Sequence, residues 1–464
     1  MKSFTEMIYY SSPVFLQNIL ISIYGYKLYR DRYNENARQY LSELRKSEYI
    51  SKDQMQELQS RRFVQIARHA IAYVPHYRDW AAKEGLEVDD INSLDDLKLF
   101  PLLEKDDIRK SPERFISELY KDKSRLLSYS TSGTSGKPLT IICDANCRTH
   151  HYTFFTRLRS WFGINNKSTR ATLFGRIIQL PQNKYPPYWR YDIYQRNLLM
   201  SSYHLNDDNL SLYYEKLLQY KPDEVIGYPS SLYQIAKFII NNKLPPLTPK
   251  VVFTTAETLL IQQREMLENA FACPVIDQYG CTEMAFFASQ CEFGNMHIHP
   301  EHGIMEVLDT SGRHVRVGEA GNAVPTGLVN MVMPLIRYKI GDIIATSDKC
   351  CECGRAFPVI SDIVGRLDDT LMTPDGRPLG RLDPIFKGLN GIYETQIIQS
   401  SSDTLEFNLV VDNSYNKQSE RELMYEIRKR VGAELIVKLI YVASIPKNQN
   451  GKFKAVIRRS TELI

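Results

Sequence analysis

The sequence predicts an α/β fold class: a large N-terminal domain of several layered α/β subdomains, followed by a small α+β C-terminal domain. Three observations predict it. The chain has 464 residues, which is too long for one compact core. Between residues 120 and 345 strand-like runs alternate with helical patterns, as in α/β layers. After Val364 the pattern changes to strands around one charged helix, which indicates a separate unit.

Residues 1–120 are predicted to form a helical region packed on the large domain. Apolar residues recur at spacings of three and four between 35 and 85, as on one face of a helix. The apolar stretch from Pro13 to Tyr26 is too short to span a membrane and contains three polar residues. We expect it to form a helix that docks on the domain, and an interfacial membrane contact is the alternative.

Residues 121–364 are predicted to form the α/β core of the large domain. Two helical patterns, 230–240 and 259–271, separate the later strand-like runs. The strand-like runs are RATLFG (170–175), DEVIGYP (223–229), KVVFTTAE (250–257) and CPVIDQYG (273–280).

Residues 365–464 are predicted to form the small α+β domain. Its helix is SERELMYEIRKRV (419–431), in which apolar positions alternate with charges at helical spacing. Its strand-like runs are YETQIIQS (393–400), TLEFNLVVD (404–412) and LIVKLIYVAS (435–444).

The composition is that of a globular protein and excludes several classes. Hydrophobic residues make up 43% and charged residues 24% of the chain, and the net charge is only +4. The basic residues are interspersed with acids, so we expect no nucleic-acid partner. The N-terminus has no small-residue cleavage site, and no stretch is long enough for a transmembrane segment. We therefore expect a cytoplasmic protein.

One loop has a composition that suits neither a strand nor a helix. SYSTSGTSGKP (128–138) combines six serine and threonine side chains, two glycines and one lysine. Glycine backbone N–H groups, hydroxyls and a lysine suit a phosphate. The loop is not a Walker A motif, because only two residues separate its glycines and Pro138 follows the lysine. By itself it fits a nucleotide site and a solvated linker equally well.

The loop and five further segments together resemble the acyl-adenylate-forming superfamily, which includes acyl-CoA synthetases and non-ribosomal peptide adenylation domains. The resemblance implies a large adenylation domain and a small, mobile C-terminal lid domain. The segments, in the family's order, are YSTSGTSGKP (129–138), TTAETL (254–259), DQYGCTE (277–283), RYKIGD (337–342), GRLDD (365–369) and PKNQNGKFK (446–454).

Finer features are similar to phenylacetate–CoA ligase-like enzymes. The N-terminal segment SPVFLQNILISIYGYKLYRDRY resembles the CapK-like branch, which is associated with capsular polysaccharide biosynthesis. The segments shared with the ligase-like enzymes are FPLLEKDDIR (100–109), GYPSSL (227–232), HIHPEHGIMEVLD (297–309) and CCECGRAFPVI (350–360).

The resemblance implies ATP and Mg²⁺ as cofactors and assigns roles to residues. Thr282 would contact the α-phosphate, and Glu283 would hold Mg²⁺, which prefers oxygen ligands. Lys452 would carry adenylation by reaching the carboxylate and the α-phosphate, and Asp368 would be the hinge of the lid. The nucleotide would be bound by Ser130, Thr131, Ser132, Gly133, Thr134 and Lys137 at the phosphates, and by Glu257, Tyr279, Asp342 and Arg366 on the nucleoside side.

A structural zinc site is predicted in addition. Cys351 and Cys353, with Cys291 and His297 about sixty residues upstream, supply four ligands for a tetrahedral Zn²⁺, as in some phenylacetate–CoA ligase-like proteins. Free thiols are the alternative. Four protein ligands leave no open position, so a catalytic zinc is not expected.

The function implied is an ATP-dependent ligase that converts a carboxylic acid into an acyl-AMP and transfers the acyl group to an acceptor. A thiol acceptor would be coenzyme A, and an amine acceptor would make the enzyme an amide ligase. The sequence does not choose between these acceptors. A catalytically inactive nucleotide-binding scaffold of a polysaccharide biosynthesis cluster is the alternative, and a homodimer is the default oligomeric state.

Overall fold

The computed structural model describes most of the chain. The described residues are 4–120, 122–130, 139–366, 371, 385, 389, 391–431, 434–446 and 453–459.

Within these residues the structure has eleven α-helices and five short 3₁₀ helices. The α-helices are α1 Phe4–Ser11, α2 Val14–Arg32, α3 Glu35–Lys46, α4 Lys52–Tyr73, α5 Pro75–Glu84, α6 Lys105–Lys110, α7 Ala145–Trp161, α8 Leu210–Tyr220, α9 Pro229–Asn241, α10 Ile261–Phe271 and α11 Lys417–Val431. The 3₁₀ helices are Val88–Asp90, Leu94–Leu99, Pro112–Phe115, Lys123–Arg125 and Ser202–His204.

The same residues contain eighteen strands. They are β1 Leu127–Ser130, β2 Thr140–Cys143, β3 Arg170–Phe174, β4 Trp189–Asp192, β5 Asn197–Ser201, β6 Glu224–Gly227, β7 Val251–Thr255, β8 Val275–Gly280, β9 Phe287–Gln290, β10 Met296–Ile298, β11 Gly303–Leu308, β12 Gly321–Gly327, β13 Asp342–Ser347, β14 Val359–Arg366, β15 Ile392–Gln399, β16 Thr404–Val411, β17 Ile436–Tyr441 and β18 Val456–Arg458.

A twelve-stranded sheet dominates the large domain, in the order β11-β12-β13-β14-β10-β9-β8-β7-β6-β3-β5-β4. Strands β8, β7, β6, β3 and β5 are parallel, and the strands on both sides of this block are antiparallel. The four predicted strand-like runs are β3, β6, β7 and β8, so the sequence predicted four of the five parallel strands, and β5 was not predicted. The α/β fold class is confirmed.

The parallel block is covered by the two predicted helices. Leu173, Val225 and Val252 of three neighbouring strands belong to the same buried core as Leu232 of α9 and Leu267 of α10. Parallel strands joined by crossover helices are buried on both faces, which explains their continuous apolar runs.

The N-terminal helices join the large domain through a second core. Helix α4 begins at a capping box in which Ser51 Oγ accepts from the Gln54 amide and Gln54 Oε1 accepts from the Ser51 amide. Its apolar face, including Phe63, packs with Ile304 and Ile336 of the large domain. The predicted domain boundaries at 120/121 and 364/365 stay predictions, with β14 running on to Arg366.

A buried ion pair fastens helices α3 and α7 to the segment before β11. Arg157 of α7 and Glu301 are both fully buried, and the guanidinium lies 2.6 Å from the carboxylate. Burial alone would raise the pKa of Glu301, but Arg157 outweighs it and holds that pKa below its ordinary value. Arg157 also donates to the Leu44 carbonyl at 3.1 Å, and Ser47 donates to Glu301 at 2.6 Å. Every charge in this cluster therefore has a partner, as burial requires.

The C-terminal unit has its own sheet and core. Its strands lie in the order β17-β16-β15-β18. Leu423 and Ile427 of α11 pack against Leu405, Phe407 and Leu409 of β16. The α+β unit predicted for this region is confirmed. None of the helices in the described ranges is both long enough and apolar enough to cross a membrane.

Candidate active site

The carboxyl ends of three neighbouring parallel strands bring three predicted segments to one edge of the sheet. Gly227 of β6 lies opposite Thr254 of β7, and Thr255 lies opposite Gln278 of β8. The segments that follow these strands therefore begin side by side, as in other open α/β sheets where ligands bind at the carboxyl edge. Glu257 lies in the segment after β7, Tyr279 is the next-to-last residue of β8, and Glu283 lies in the segment after β8.

Glu257 occupies the centre of this edge. Its carboxylate accepts from the Ser230 amide at 3.0 Å and from the Ser230 hydroxyl at 3.1 Å, at the start of α9. The positive end of the helix dipole favours a carboxylate there. Ala256, the residue before it, has a φ of +68°, a left-handed conformation that costs about 1 kcal/mol for alanine. Such strain persists where the surroundings determine the backbone, and here it directs Glu257 toward α9.

Glu257 also binds the C-terminal unit. The Phe453 amide donates to Glu257 Oε1 at 2.7 Å, across 196 residues of sequence. Phe453 belongs to the PKNQNGKFK segment, and it follows Lys452 directly. The hydrogen bond therefore places Phe453 and the adenine-side segment at the same edge of the sheet.

Tyr279 and Asp342 form a second pair at this edge. The Tyr279 hydroxyl donates to Asp342 Oδ2 at 2.8 Å, and its ring packs edge-on against Phe286 with centroids 4.8 Å apart. Asp342 begins β13 directly after Gly341, whose φ is +79°. The predicted adenine-side tyrosine and ribose-side aspartate are thus brought into contact. Asp342 also lies opposite Arg366 in the pairing of β13 with β14.

Glu283 is a buried carboxylate, only 7% exposed, beside the exposed Thr282. The Tyr338 hydroxyl donates to Glu283 Oε1 at 2.9 Å. Burial, reinforced by Glu283, raises the pKa of Tyr338 well above its ordinary value, so the hydroxyl stays protonated and remains a donor. Tyr338 lies in the RYKIGD segment, but the sequence offered no reason to assign it to Glu283, 55 residues away.

Several predicted site residues lie outside the described part of the chain. Ser130 is described: it ends β1 and lies opposite Thr140 of β2, so β1 and β2 flank the predicted phosphate loop. The role predicted for Arg366 concerns its side chain, and the structure describes only the backbone of this residue. The predicted site residues that are not described at all are Thr131, Ser132, Gly133, Thr134, Lys137, Asp368 and Lys452.

The four predicted metal ligands converge. The ligand atoms of Cys291, His297, Cys351 and Cys353 all lie within 4.8 Å of one another. The Sγ atoms of Cys291 and Cys351 are 3.6 Å apart, and Cys353 Sγ lies 3.4 Å from His297 Nε2. A tetrahedral Zn²⁺ with Zn–S bonds of about 2.3 Å needs sulfur atoms about 3.8 Å apart, whereas a disulfide needs about 2.05 Å. The donor set and its spacing therefore fit zinc.

The histidine of the cluster is oriented by the backbone. His297 Nδ1 lies 3.1 Å from the Phe357 carbonyl, which leaves Nε2 toward the cysteines. Its neighbour His299 is used elsewhere, because Arg157 donates to its Nδ1 at 2.6 Å and its Nε2 lies 2.8 Å from Ser289 Oγ. Burial lowers the pKa of His299 well below its ordinary value, so this ring is neutral.

Comparison with known proteins shows what the chain is similar to. Residues 371–459 match the family model of the CapK C-terminal domain. Over 456 residues the chain is 27% identical to protein CapK of Staphylococcus aureus, covering 97% of this chain and 98% of that protein. The chain is a homologue of CapK and of the phenylacetate–CoA ligases.

A second relative and a solved structure extend the comparison. Phenylacetate-coenzyme A ligase of Aromatoleum evansii is 25% identical over 459 residues, with 89% of this chain and 96% of the ligase covered. The crystal structure of a 2-hydroxyisobutyryl-CoA ligase in its postadenylation state has the same fold, with a TM-score of 0.72 at 20% identity over 89% of this chain and 91% of that one. The predicted resemblance of this CapK-like chain is therefore confirmed.

The contact between Glu257 and Phe453 leads to a prediction about the C-terminal unit. Replacing Glu257 by Gln removes the negative charge, and hydrogen bonds to charged groups contribute about 1.5–3 kcal/mol. We expect hydrogen–deuterium exchange of the amides in 453–459 to become about tenfold faster or more in E257Q. The matched control is E319Q, because Glu319 accepts from the Arg316 amide in an exposed turn. Equal exchange in E257Q and the parent would contradict the contact.

Proposed function

We propose that this CapK-like chain is an AMP-forming acid ligase, which activates a carboxylic acid with ATP and transfers the acyl group to an acceptor. The observation that carries the proposal is the hydrogen bond from Phe453 to Glu257. It joins Phe453, the residue after Lys452, to the edge that carries the Tyr279–Asp342 pair and Glu283. The large domain and the C-terminal unit both contribute residues to this edge of the sheet. Such a site suits a reaction that needs side chains from both units.

Each side chain has a proposed role that follows from its chemistry. Asp342 would accept from the ribose hydroxyls, since a carboxylate offers two acceptor oxygens, and Tyr279 orients it through their 2.8 Å hydrogen bond. Glu283 would hold Mg²⁺, a fit supported by a buried carboxylate whose position Tyr338 determines. The metal would offset the negative charge of the triphosphate. Thr282, exposed beside Glu283, is proposed to contact the α-phosphate.

The predicted phosphate loop completes the proposal. Its hydroxyls, backbone amides and Lys137 would surround the β- and γ-phosphates, and Arg366 would join Asp342 at the ribose. The strands that flank the loop are described, with Ser130 opposite Thr140. These assignments rest on the family resemblance.

The first half-reaction joins two anions. An oxygen of the substrate carboxylate would form a bond to the α-phosphorus while the bond to the pyrophosphate oxygen breaks, which gives acyl-AMP and pyrophosphate. Developing negative charge is the main obstacle, so positioned cations and donors supply most of the catalysis. Lys452 is proposed as that cation because the next residue, Phe453, is held at the site by Glu257.

For the second half-reaction we propose coenzyme A as the acceptor. The thiol sulfur would bond to the acyl carbon, the carbon–oxygen bond to AMP would break, and the thiol proton would leave to solvent. The support is the 25% identity, over 89% of this chain, to a phenylacetate-coenzyme A ligase. An amine acceptor is the second candidate. A role in capsule synthesis and a homodimeric state remain predictions from the sequence.

Loss of the C-terminal lysine should slow adenylation strongly. We expect Lys452→Ala to lower the rate of ATP–pyrophosphate exchange by about a hundredfold or more, as when one transition-state donor is lost. The matched control is Lys454→Ala, because Lys454 is two residues away and its carbonyl accepts from Gln396 at 2.9 Å. The control should stay within about threefold of the parent, since its side chain is assigned no part in the transition state. The measurement is exchange of labelled pyrophosphate into ATP over a panel of carboxylic acids.

Two results would contradict this proposal in different ways. K452A as fast as the parent would reject the assignment of Lys452 while leaving the ligase activity intact. No exchange by the parent with any acid of a broad panel would instead favour the inactive nucleotide-binding scaffold.

The acceptor can be decided with the acid that gives exchange. With coenzyme A present, free thiol should disappear in step with AMP release, because one thioester forms for each AMP. The measurement pairs a thiol assay with AMP quantification by chromatography, and omission of coenzyme A is the control. AMP release that ignores the thiol and accelerates with an added amine would reject coenzyme A.

We also propose that the Cys/His cluster binds one structural Zn²⁺. Its four ligands come from the β9–β10 turn, from β10 and from the segment before β14, so the ion would fasten these pieces together. The buried position of Cys291 and the backbone contact of His297 suit a closed, four-ligand site.

Metal analysis tests the zinc proposal. The parent purified from zinc-supplemented medium should contain about one zinc per chain by mass spectrometry, and C351S/C353S should contain none. C350S is the matched control, because Cys350 is exposed and outside the cluster. The double variant should also melt at a lower temperature, since structural zinc contributes folding energy. Equal zinc in the parent and the double variant would reject the site.

A further inference from the structure

Helix α2 docks on the large domain with its polar side. Asn18 Oδ1 accepts from the Tyr191 amide at 2.9 Å, and Ser22 Oγ accepts from the Ile193 amide at 3.2 Å. Gln17 Oε1 accepts from Arg190 Nε at 2.5 Å. Strand β4 is the last strand of the large sheet, and it pairs only with β5 within the described strands. The polar side chains of α2 thus satisfy an edge strand that would otherwise expose its amides.

A glycine allows this close docking. Gly25 is buried, and a Cβ atom built on it would lie 2.0 Å from Asp192 Oδ2. A larger residue would require the Asp192 carboxylate to move from its present position. The orientation of α2 is therefore determined by its polar residues and by Gly25, and its apolar residues are turned outward.

We define the α2 apolar face as the seven large outward residues of this helix. Phe15 is 64%, Ile23 61% and Tyr24 55% exposed. The members lie in two stripes at spacings of three and four, so they share one side of the helix. The face consists of Phe15, Leu16, Ile19, Leu20, Ile23, Tyr24 and Tyr26, all exposed.

The face continues onto the neighbouring turn. The rings of Tyr26 and Tyr194 are 4.8 Å apart, and both Ile193 and Tyr194 are exposed. Monomeric proteins rarely expose so many contiguous large apolar residues unless the surface binds something. An apolar environment must therefore complete this side of the molecule.

Basic residues border the face, and acids do not. Each apolar stripe ends at an exposed base one turn later, Lys27 in one case and Arg30 in the other. Residues 7–33 and 176–196 contain only two acids. Asp31 is ion-paired with Arg148 at 2.7 Å, and Asp192 is buried. The charge that this surface can complement is therefore negative.

We propose that the α2 apolar face rests in the interface of an anionic lipid bilayer, with the helix lying parallel to the membrane plane. Apolar residues would enter the acyl boundary, tyrosines would lie at the headgroup level, and the bases would meet lipid phosphates. A second copy of the chain fits less well, because a two-fold contact pairs a patch with itself and would bring further bases but no free carboxylate. The proposal is independent of the ligase function.

Vesicle flotation of the full-length protein tests it. We expect the parent to float with vesicles of phosphatidylcholine and phosphatidylglycerol. Its partition coefficient on vesicles of phosphatidylcholine alone should be about thirtyfold lower if two bases contact the headgroups. Phe15→Glu with Ile23→Glu should reduce flotation on the anionic vesicles by about tenfold or more, because two large apolar side chains leave the interface.

The matched control replaces two equally exposed apolar residues elsewhere, Val317→Glu with Tyr425→Glu, which are 59% and 67% exposed. It adds the same charge and should float like the parent. The melting temperatures of the parent and both double variants should agree, since all four side chains are exposed.

Three outcomes would overturn the proposal. Absence of flotation by the parent on anionic vesicles rejects lipid as the occupant. Equal flotation of F15E/I23E and the parent rejects this face as the contact. A parent that ignores vesicles but sediments as a dimer, with F15E/I23E sedimenting as a monomer, assigns the face to a second copy instead.

Discussion

The parallel pairing of β6, β7 and β8 is the constraint on which the rest of the molecule depends. It aligns the carboxyl ends of three strands, so segments distant in sequence begin side by side. Crossover helices α9 and α10 are required to connect such strands, and α9 in turn offers its N-terminus to Glu257. The same carboxylate then accepts an amide of the C-terminal unit. Glu257 is therefore the side chain through which the sheet edge contacts both α9 and the C-terminal unit.

The charged core joins the N-terminal helices to the antiparallel half of the sheet. Arg157 and Glu301 connect α7 and the end of α3 to the segment before β11 without leaving an unpaired buried charge. Two residues beyond Cys353, Arg355 binds Glu48 at 2.8 Å and stacks over Trp161 at 3.9 Å. The segment that contains Cys353 therefore packs against the turn after α3 and the end of α7. The antiparallel half of the sheet is joined to them by polar contacts as well as by apolar packing.

The two proposed surfaces of the molecule lie at different parts of the sheet. The candidate active site is at the ends of β6, β7 and β8, whereas α2 covers the outer strand β4, with β3 and β5 between them. Contact of the α2 apolar face with a bilayer would therefore leave the carboxyl edge of the central strands open to substrates. A helix that presents polar residues to its own domain gains hydrogen bonds there, and burial of its outward apolar residues in another apolar medium would add to its stability.

The sequence by itself determined what is encoded locally. Strand-like runs with crossover patterns predicted β3, β6, β7 and β8, and ordered motifs predicted the site segments, because periodicity and turn chemistry act over a few residues. The antiparallel strands from β9 to β14 were not predicted, since their pairing joins distant residues such as Asp342 and Arg366. Tertiary structure alone decided that Tyr338 holds Glu283, that Phe453 meets Glu257, and that α2 turns its polar side inward. These contacts depend on strand register and on how helices and units dock. Their partners lie tens to hundreds of residues apart, so local sequence patterns do not specify them.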